Sequence, residues 1–76
     1  MTEKIIDLFS SVLDVKKEKI TVETSMDDLP EWDSLAHISL VSAIEEEFKV
    51  SMSMDEITSM LSIKSAIEII SELSNN

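Results

Sequence analysis

Ser34 is the residue best placed to do chemistry in this chain, because it follows Asp33 directly and His37 stands three residues further on. On a helix, positions i and i+3 share a surface, so the trio superficially offers a nucleophile, a base and an acid. The combination fails as a triad. Asp33 adjoins Ser34 in the chain and is better used as a helix cap, no oxyanion hole is evident, and 76 residues offer no substrate cleft. His37 is the only histidine and there is no cysteine, so a zinc site is not expected. The expectation for His37 is a solvent-exposed side chain whose functional use would be contact with a partner. Serine is also common in the first turn of a helix without further role, so Asp33-Ser34-Leu35 by itself carries little.

The absent residues exclude more. Without cysteine the chain has neither a disulfide staple nor a thiolate nucleophile, and any thiol chemistry must be imported. Without glycine it lacks the phosphate-cradling loop, the nucleophile elbow and the EF-hand turn, which need backbone conformations that glycine adopts cheaply. The protein is therefore not expected to be an enzyme.

The elements that position Ser34 follow from apolar spacing. Ile5, Leu8, Phe9, Val12 and Leu13 recur at three and four behind Thr2 as an N-cap, which predicts a first helix. From Val15 to Trp32 the periodicity fails, Lys16, Lys17 and Lys19 cluster, and Pro30 breaks any helical continuation. A long loop is predicted, with Ile20, Val22, Met26 and Leu29 pinning it across the core. Asp33 then caps a second helix, with Ser34 in its first turn and Leu35, Ile38, Val41, Ile44 and Phe48 as the buried stripe. Ser53-Met54-Asp55-Glu56 has the capping-box form before the short apolar set Ile57, Met60 and Leu61, and predicts a short third helix. Ser62 caps the last helix, with Ile63, Ala66, Ile67, Ile70 and Leu73 facing inward and Ser74-Asn75-Asn76 fraying. The expected fold is all-α: a four-helix bundle of three longer helices and one short, with a long loop between helices one and two, forming a single domain over residues 1–76.

Sixteen acidic residues against six basic ones, a formal net charge of −10, argue against nucleic acid and anionic membrane and in favour of partners with basic surfaces. No apolar run approaches the roughly 18 residues of a membrane span, and Met1-Thr2-Glu3-Lys4 leads straight into the amphipathic pattern, so a cytoplasmic monomer is the default expectation.

The stretch Asp33-Ser34-Leu35, preceded by Asp28-Leu29 and followed by Ile38, Leu40, Ala43, Ile44 and Glu45-Glu46-Glu47-Phe48, resembles the acyl carrier family. That family's signature is an Asp-Ser-Leu triplet opening the second helix, with a Glu-Glu-x-Phe-like segment near its end. The resemblance runs on through Met52 and Ser62-Ile63-Lys64-Ser65-Ala66-Ile67-Glu68-Ile69-Ile70, covering roughly Ile20 to Leu73. It implies a free-standing carrier whose Ser34, flanked by Asp33 and Leu35, receives phosphopantetheine from coenzyme A through a phosphopantetheinyl transferase. The arm would hold acyl intermediates as thioesters and present them to acyl-loading and acyl-processing enzymes with basic docking surfaces, in fatty-acid or polyketide biosynthesis or a related pathway. A phosphodiester there would meet the free N–H groups and positive dipole of a helix N-terminus. Glu45, Glu46, Glu47, His37 and Ile38 would face the partners, and His37 could also touch the arm's phosphate. Two departures point to a specialised pathway: Pro30-Glu31-Trp32 stands where the family usually has a glycine-containing pair, and Ala36, His37 and Ser39 replace acidic residues. An aminoacyl or peptidyl carrier, or an interaction protein that keeps the fold unmodified, are the alternatives.

Trp32, the only tryptophan, either anchors the loop on the core or sits exposed as a contact. Met26, Met52, Met54 and Met60 are expected to be core filler, with an adaptable acyl pocket as the other reading.

Overall fold

A computed structural model describes residues 2–74. Four helices follow the expected order: α1 (Thr2–Leu13), α2 (Ser34–Phe48), the short α3 (Met54–Ser59) and α4 (Ile63–Ser74). Thr2, expected as the N-cap of α1, is instead its first helical residue. The other caps form as the sequence predicts. The Asp33 carboxylate accepts from the Ala36 amide at 2.9 Å. Ser53 and Glu56 close a reciprocal box, with Oγ of Ser53 accepting from the Glu56 amide and Oε1 of Glu56 accepting from the Ser53 amide. Ser62 accepts from the Ser65 amide at the head of α4.

In a chain with no glycine, α1 and α2 end on other residues: Asp14 and Lys49 both adopt the left-handed conformation, at φ 57°. That geometry turns the next N–H back onto the helix: Val15 N–H reaches the Ser10 carbonyl, and Val50 N–H shares the Glu45 carbonyl with Lys49 N–H. The αL conformation costs an ordinary residue roughly 1–2 kcal/mol.

The loop from Val15 to Asp33 is long but not slack. Two 3₁₀ turns, Lys17–Lys19 and Met26–Asp28, shorten it. Val15, Ile20, Leu29 and Trp32 are buried, whereas Val22, expected to pin the loop, is exposed and Met26 is only half-buried. Its middle is stitched to the α3–α4 junction: Met26 N–H donates to the Leu61 carbonyl at 2.8 Å and Ile63 N–H to the Thr24 carbonyl at 2.9 Å, around an antiparallel bridge of Ser25 with Ser62. Near its start, Lys17 pairs with Asp7 of α1 at 2.8 Å, and that carboxylate's hydrogen bond and charge raise the lysine's pKa above its ordinary value.

One continuous core joins the helices, with Ile5 and Phe9 of α1, Leu40 and Ile44 of α2, Met60, and Ile63, Ala66 and Ile70 of α4 fully enclosed. The buried face of α2 differs from the expected stripe. Leu40, Val41 and Ile44 point inward and Phe48 is half-buried, but Leu35 is 79% and Ile38 65% exposed. At about 100° per residue, Leu35 and Ile38 lie on the side of the helix away from Leu40 and Ile44. Leu61 is exposed rather than packed. Met52 and Met60 are core residues, whereas Met54 stands out from α3 into solvent. Among the described residues no helix is long and apolar enough to cross a membrane.

Candidate functional site

The chain delivers Ser34 to the surface in three steps. Trp32, only 2% exposed, plants the end of the loop in the core, with its ring edge-on to Phe9 of α1 at 5.1 Å between centroids. Asp33 follows in extended conformation and caps. Ser34 then begins α2, exposed, with no hydrogen-bond partner for its hydroxyl among the described residues. The amides of Ser34 and Leu35 likewise have no acceptor among the described residues, as expected in the first turn of a helix. A free hydroxyl beside unsatisfied amides and the positive end of the helix dipole suits an attached phosphodiester.

His37 is not the exposed residue expected. It is half-buried and both ring nitrogens are engaged: the Trp32 indole N–H donates to Nδ1 at 3.0 Å, and Nε2 lies 2.8 Å from the Ile57 carbonyl of α3. A carbonyl only accepts and an indole N–H only donates, so the network assigns the neutral tautomer with the proton on Nε2. The indole and imidazole rings also stack, with centroids 6.0 Å apart and planes 20° from parallel. Both ring nitrogens are therefore committed within the fold rather than free to act as a base for Ser34 or to bind a phosphate. The groove between α1 and α2, lined by Lys4, Asp7, Leu8, Val12, Ala43 and Glu47, includes neither Ser34 nor His37.

The acidic run splits into three roles. Oε2 of Glu45 accepts from the Met52 amide at 2.8 Å and ties the chain after α2 back to the helix. Glu47 pairs with Lys4 of α1 at 3.4 Å. Glu46 is exposed and makes no ion pair among the described residues. With the helical turn of about 100° per residue, Ser34, Leu35, Ile38, Ser39, Ser42 and Glu46 share one exposed face. That face is apolar and neutral near Ser34 and acidic only toward its far end.

Comparison with known proteins agrees with this arrangement. A family model described as a phosphopantetheine attachment site matches residues 3–70. The chain belongs to that family. The acyl carrier protein of Petrotoga mobilis is 29% identical over 73 residues, covering 96% of this chain and 86% of the relative. That of Buchnera aphidicola subsp. Schizaphis graminum is 36% identical over 68 residues, covering 90% and 86%. The solution structure of holo acyl carrier protein from Geobacter metallireducens shares the fold, with a TM-score of 0.84 over 95% of this chain and 83% of that one, at 24% identity. The protein is accordingly an acyl carrier that works through covalently attached phosphopantetheine, and not a catalyst. Carriers of this family act with enzymes that modify them and process what they carry.

The apolar pattern alone did not reveal His37 as a bridge or Glu45 as a tether. The one available signal was the pairing of a lone Trp, whose indole N–H needs an acceptor when buried, with a lone His five residues on.

Proposed function

We propose that Ser34 is the attachment point, receiving phosphopantetheine from coenzyme A through a phosphopantetheinyl transferase, and that the chain then holds acyl intermediates for loading and processing enzymes. The observation that carries this is the free, exposed Ser34 hydroxyl in the first turn of α2, within a family match that spans residues 3–70. The bound group supplies the thiol that this cysteine-free chain lacks. The chain's own residues do the positioning. Asp33 caps the first turn, the Ser34 and Leu35 amides face the attached phosphate, and exposed Leu35 and Ile38 offer apolar contact on the face that partners approach. Glu46 contributes charge to that face, chiefly affecting association rate. Glu45 and Glu47 contribute less, being committed to Met52 and Lys4. The neutral top of this face, with Ala36 and Ser39 on α2 and Pro30-Glu31-Trp32 leading in, supports a dedicated carrier of a specialised pathway. The test is incubation with coenzyme A and a transferase, followed by loading with an acyl donor. The expected product is a thioester on the arm that hydroxylamine cleaves; a chain that takes up the arm but no acyl group from any acyl donor, while accepting aminoacyl groups, would refute the acyl reading.

A further inference from the structure

Trp32, His37 and Ile57 form a continuous link through three elements that meet at His37, one turn from Ser34. Trp32 belongs to the loop two residues before Ser34, His37 to α2 three residues after it, and the Ile57 carbonyl to α3. The link continues through the edge-on contact of Trp32 with Phe9 into α1. α3 contributes no fully buried residue of its own, so the bond from His37 to the Ile57 carbonyl is a principal tie between α3 and α2. A buried indole N–H needs an acceptor, and a ring held at both nitrogens cannot turn without breaking a bond.

We propose that His37, as the neutral imidazole with its proton on Nε2, is a positioning residue for the modification of Ser34: it locks the Ser34 turn between the loop and α3, and releases it when the ring is protonated. The inference rests on the carrier reading above. Protonation puts a second N–H at Nδ1, directly opposite the indole N–H, so two donors face each other and the bond is lost. The charged groups on the stretches that flank the ring are Asp27, Asp28, Glu31 and Asp33 at the end of the loop, from Met26 onward, and Asp55 and Glu56 of α3; α2 itself carries none from Ser34 to Val41. None of them hydrogen-bonds to the ring. Asp28 is bonded to the Ser25 amide, Asp33 to that of Ala36 and Glu56 to that of Ser53, while Asp27, Glu31 and Asp55 are exposed. The lock is thus made by the indole and a backbone carbonyl alone. Its loss would loosen the first turn of α2 while leaving Ile38, Ser39, Ser42 and Glu46 of the docking face in place, so the effect belongs chiefly in kcat rather than KM.

The test compares the intact chain with His37→Asn and His37→Ala, using one phosphopantetheinyl transferase and coenzyme A across roughly pH 5 to 8, the range in which imidazoles titrate. Asparagine sets its amide oxygen near the Nδ1 position and keeps an acceptor for Trp32 that does not titrate. At pH 8, His37→Ala should lower kcat about tenfold with KM unchanged, the scale expected for one or two net hydrogen bonds, and His37→Asn should restore part of it. As pH falls, the rate of the native chain relative to His37→Asn should decline. In nuclear magnetic resonance spectra of the native chain, the Trp32 indole and Ser34 amide signals should shift with the same midpoint as the His37 ring. Far-ultraviolet circular dichroism checks folding, and should His37→Ala unfold, the comparison rests on His37→Asn. A native-to-asparagine ratio that is flat with pH, or Ser34 and indole signals indifferent to the His37 titration, would overturn the inference and leave the carrier reading intact. A native chain that takes no arm at any pH would overturn both.

Discussion

Replacing Trp32 by phenylalanine isolates what the indole N–H contributes to the fold. The phenyl ring keeps an edge-on partner for Phe9, whose centroid lies 5.1 Å from that of the indole, but cannot donate to Nδ1 of His37. Losing that hydrogen bond costs about 1 kcal/mol net. The smaller ring buries roughly 40 Å² less apolar surface, about a further 1 kcal/mol. The total of about 2 kcal/mol compares with a net stability of only about 3–5 kcal/mol for a core of this size. At about 4–8 °C per kcal/mol for a domain of this length, Tm should fall by about 8–16 °C. Trp32→Ala, at about 3–5 kcal/mol, removes the whole margin and should leave the chain largely unfolded. Thermal and urea melts followed by far-ultraviolet circular dichroism read both variants. A double-mutant cycle of Trp32→Phe with His37→Ala should give a coupling of about 1 kcal/mol. A Tm loss below about 3 °C for Trp32→Phe, or a coupling indistinguishable from zero, would refute the hydrogen-bonded anchor.

Further outcomes follow from the acidic run and the helix ends. Glu45→Ala, which frees the Met52 amide, should lose about 1 kcal/mol in urea titrations. Glu46→Lys should stay within about 0.5 kcal/mol of native and instead slow association with a transferase, most visibly at low salt in stopped-flow measurements. Lys49→Gly relieves the left-handed φ of 57° at the end of α2. It should gain about 0.5–1 kcal/mol once the greater freedom of the unfolded glycine chain is subtracted. With a net charge of −10, the native chain should melt at higher temperature as salt or magnesium is added, and a Tm flat across the series would exclude self-repulsion as a destabilising influence.

Features set by local chemistry were legible in the sequence. Asp33, Ser53 with Glu56, and Ser62 bond amides within a few residues of themselves, so their caps are specified where they occur. The start of α2 at Ser34 followed from the Asp33 cap in the same way. The buried face of α2 was not legible, because Leu35, Ile38, Leu40, Val41 and Ile44 surround the helix and no single stripe stands out. Packing against α1 selected Leu40 and Ile44 and left Leu35 and Ile38 outside, beside Ser34, where exposed apolar surface is useful to a carrier. His37 needed tertiary information as well, since its second partner, the Ile57 carbonyl, lies twenty residues away. The tie between Ser25 and Ser62 is an isolated bridge of two loop segments with no strand pattern to announce it.

The attachment of the arm to Ser34 is tested most directly by intact-mass analysis of the native chain and Ser34→Ala after incubation with coenzyme A and a phosphopantetheinyl transferase. Alanine is a good helix former and Asp33 remains to cap the turn, so the two should have matching helical circular dichroism. The native chain should gain one phosphopantetheine increment, located on Ser34 by peptide fragmentation, and the variant none. An increment on Ser34→Ala, or on any residue other than Ser34 in the native chain, would contradict the account.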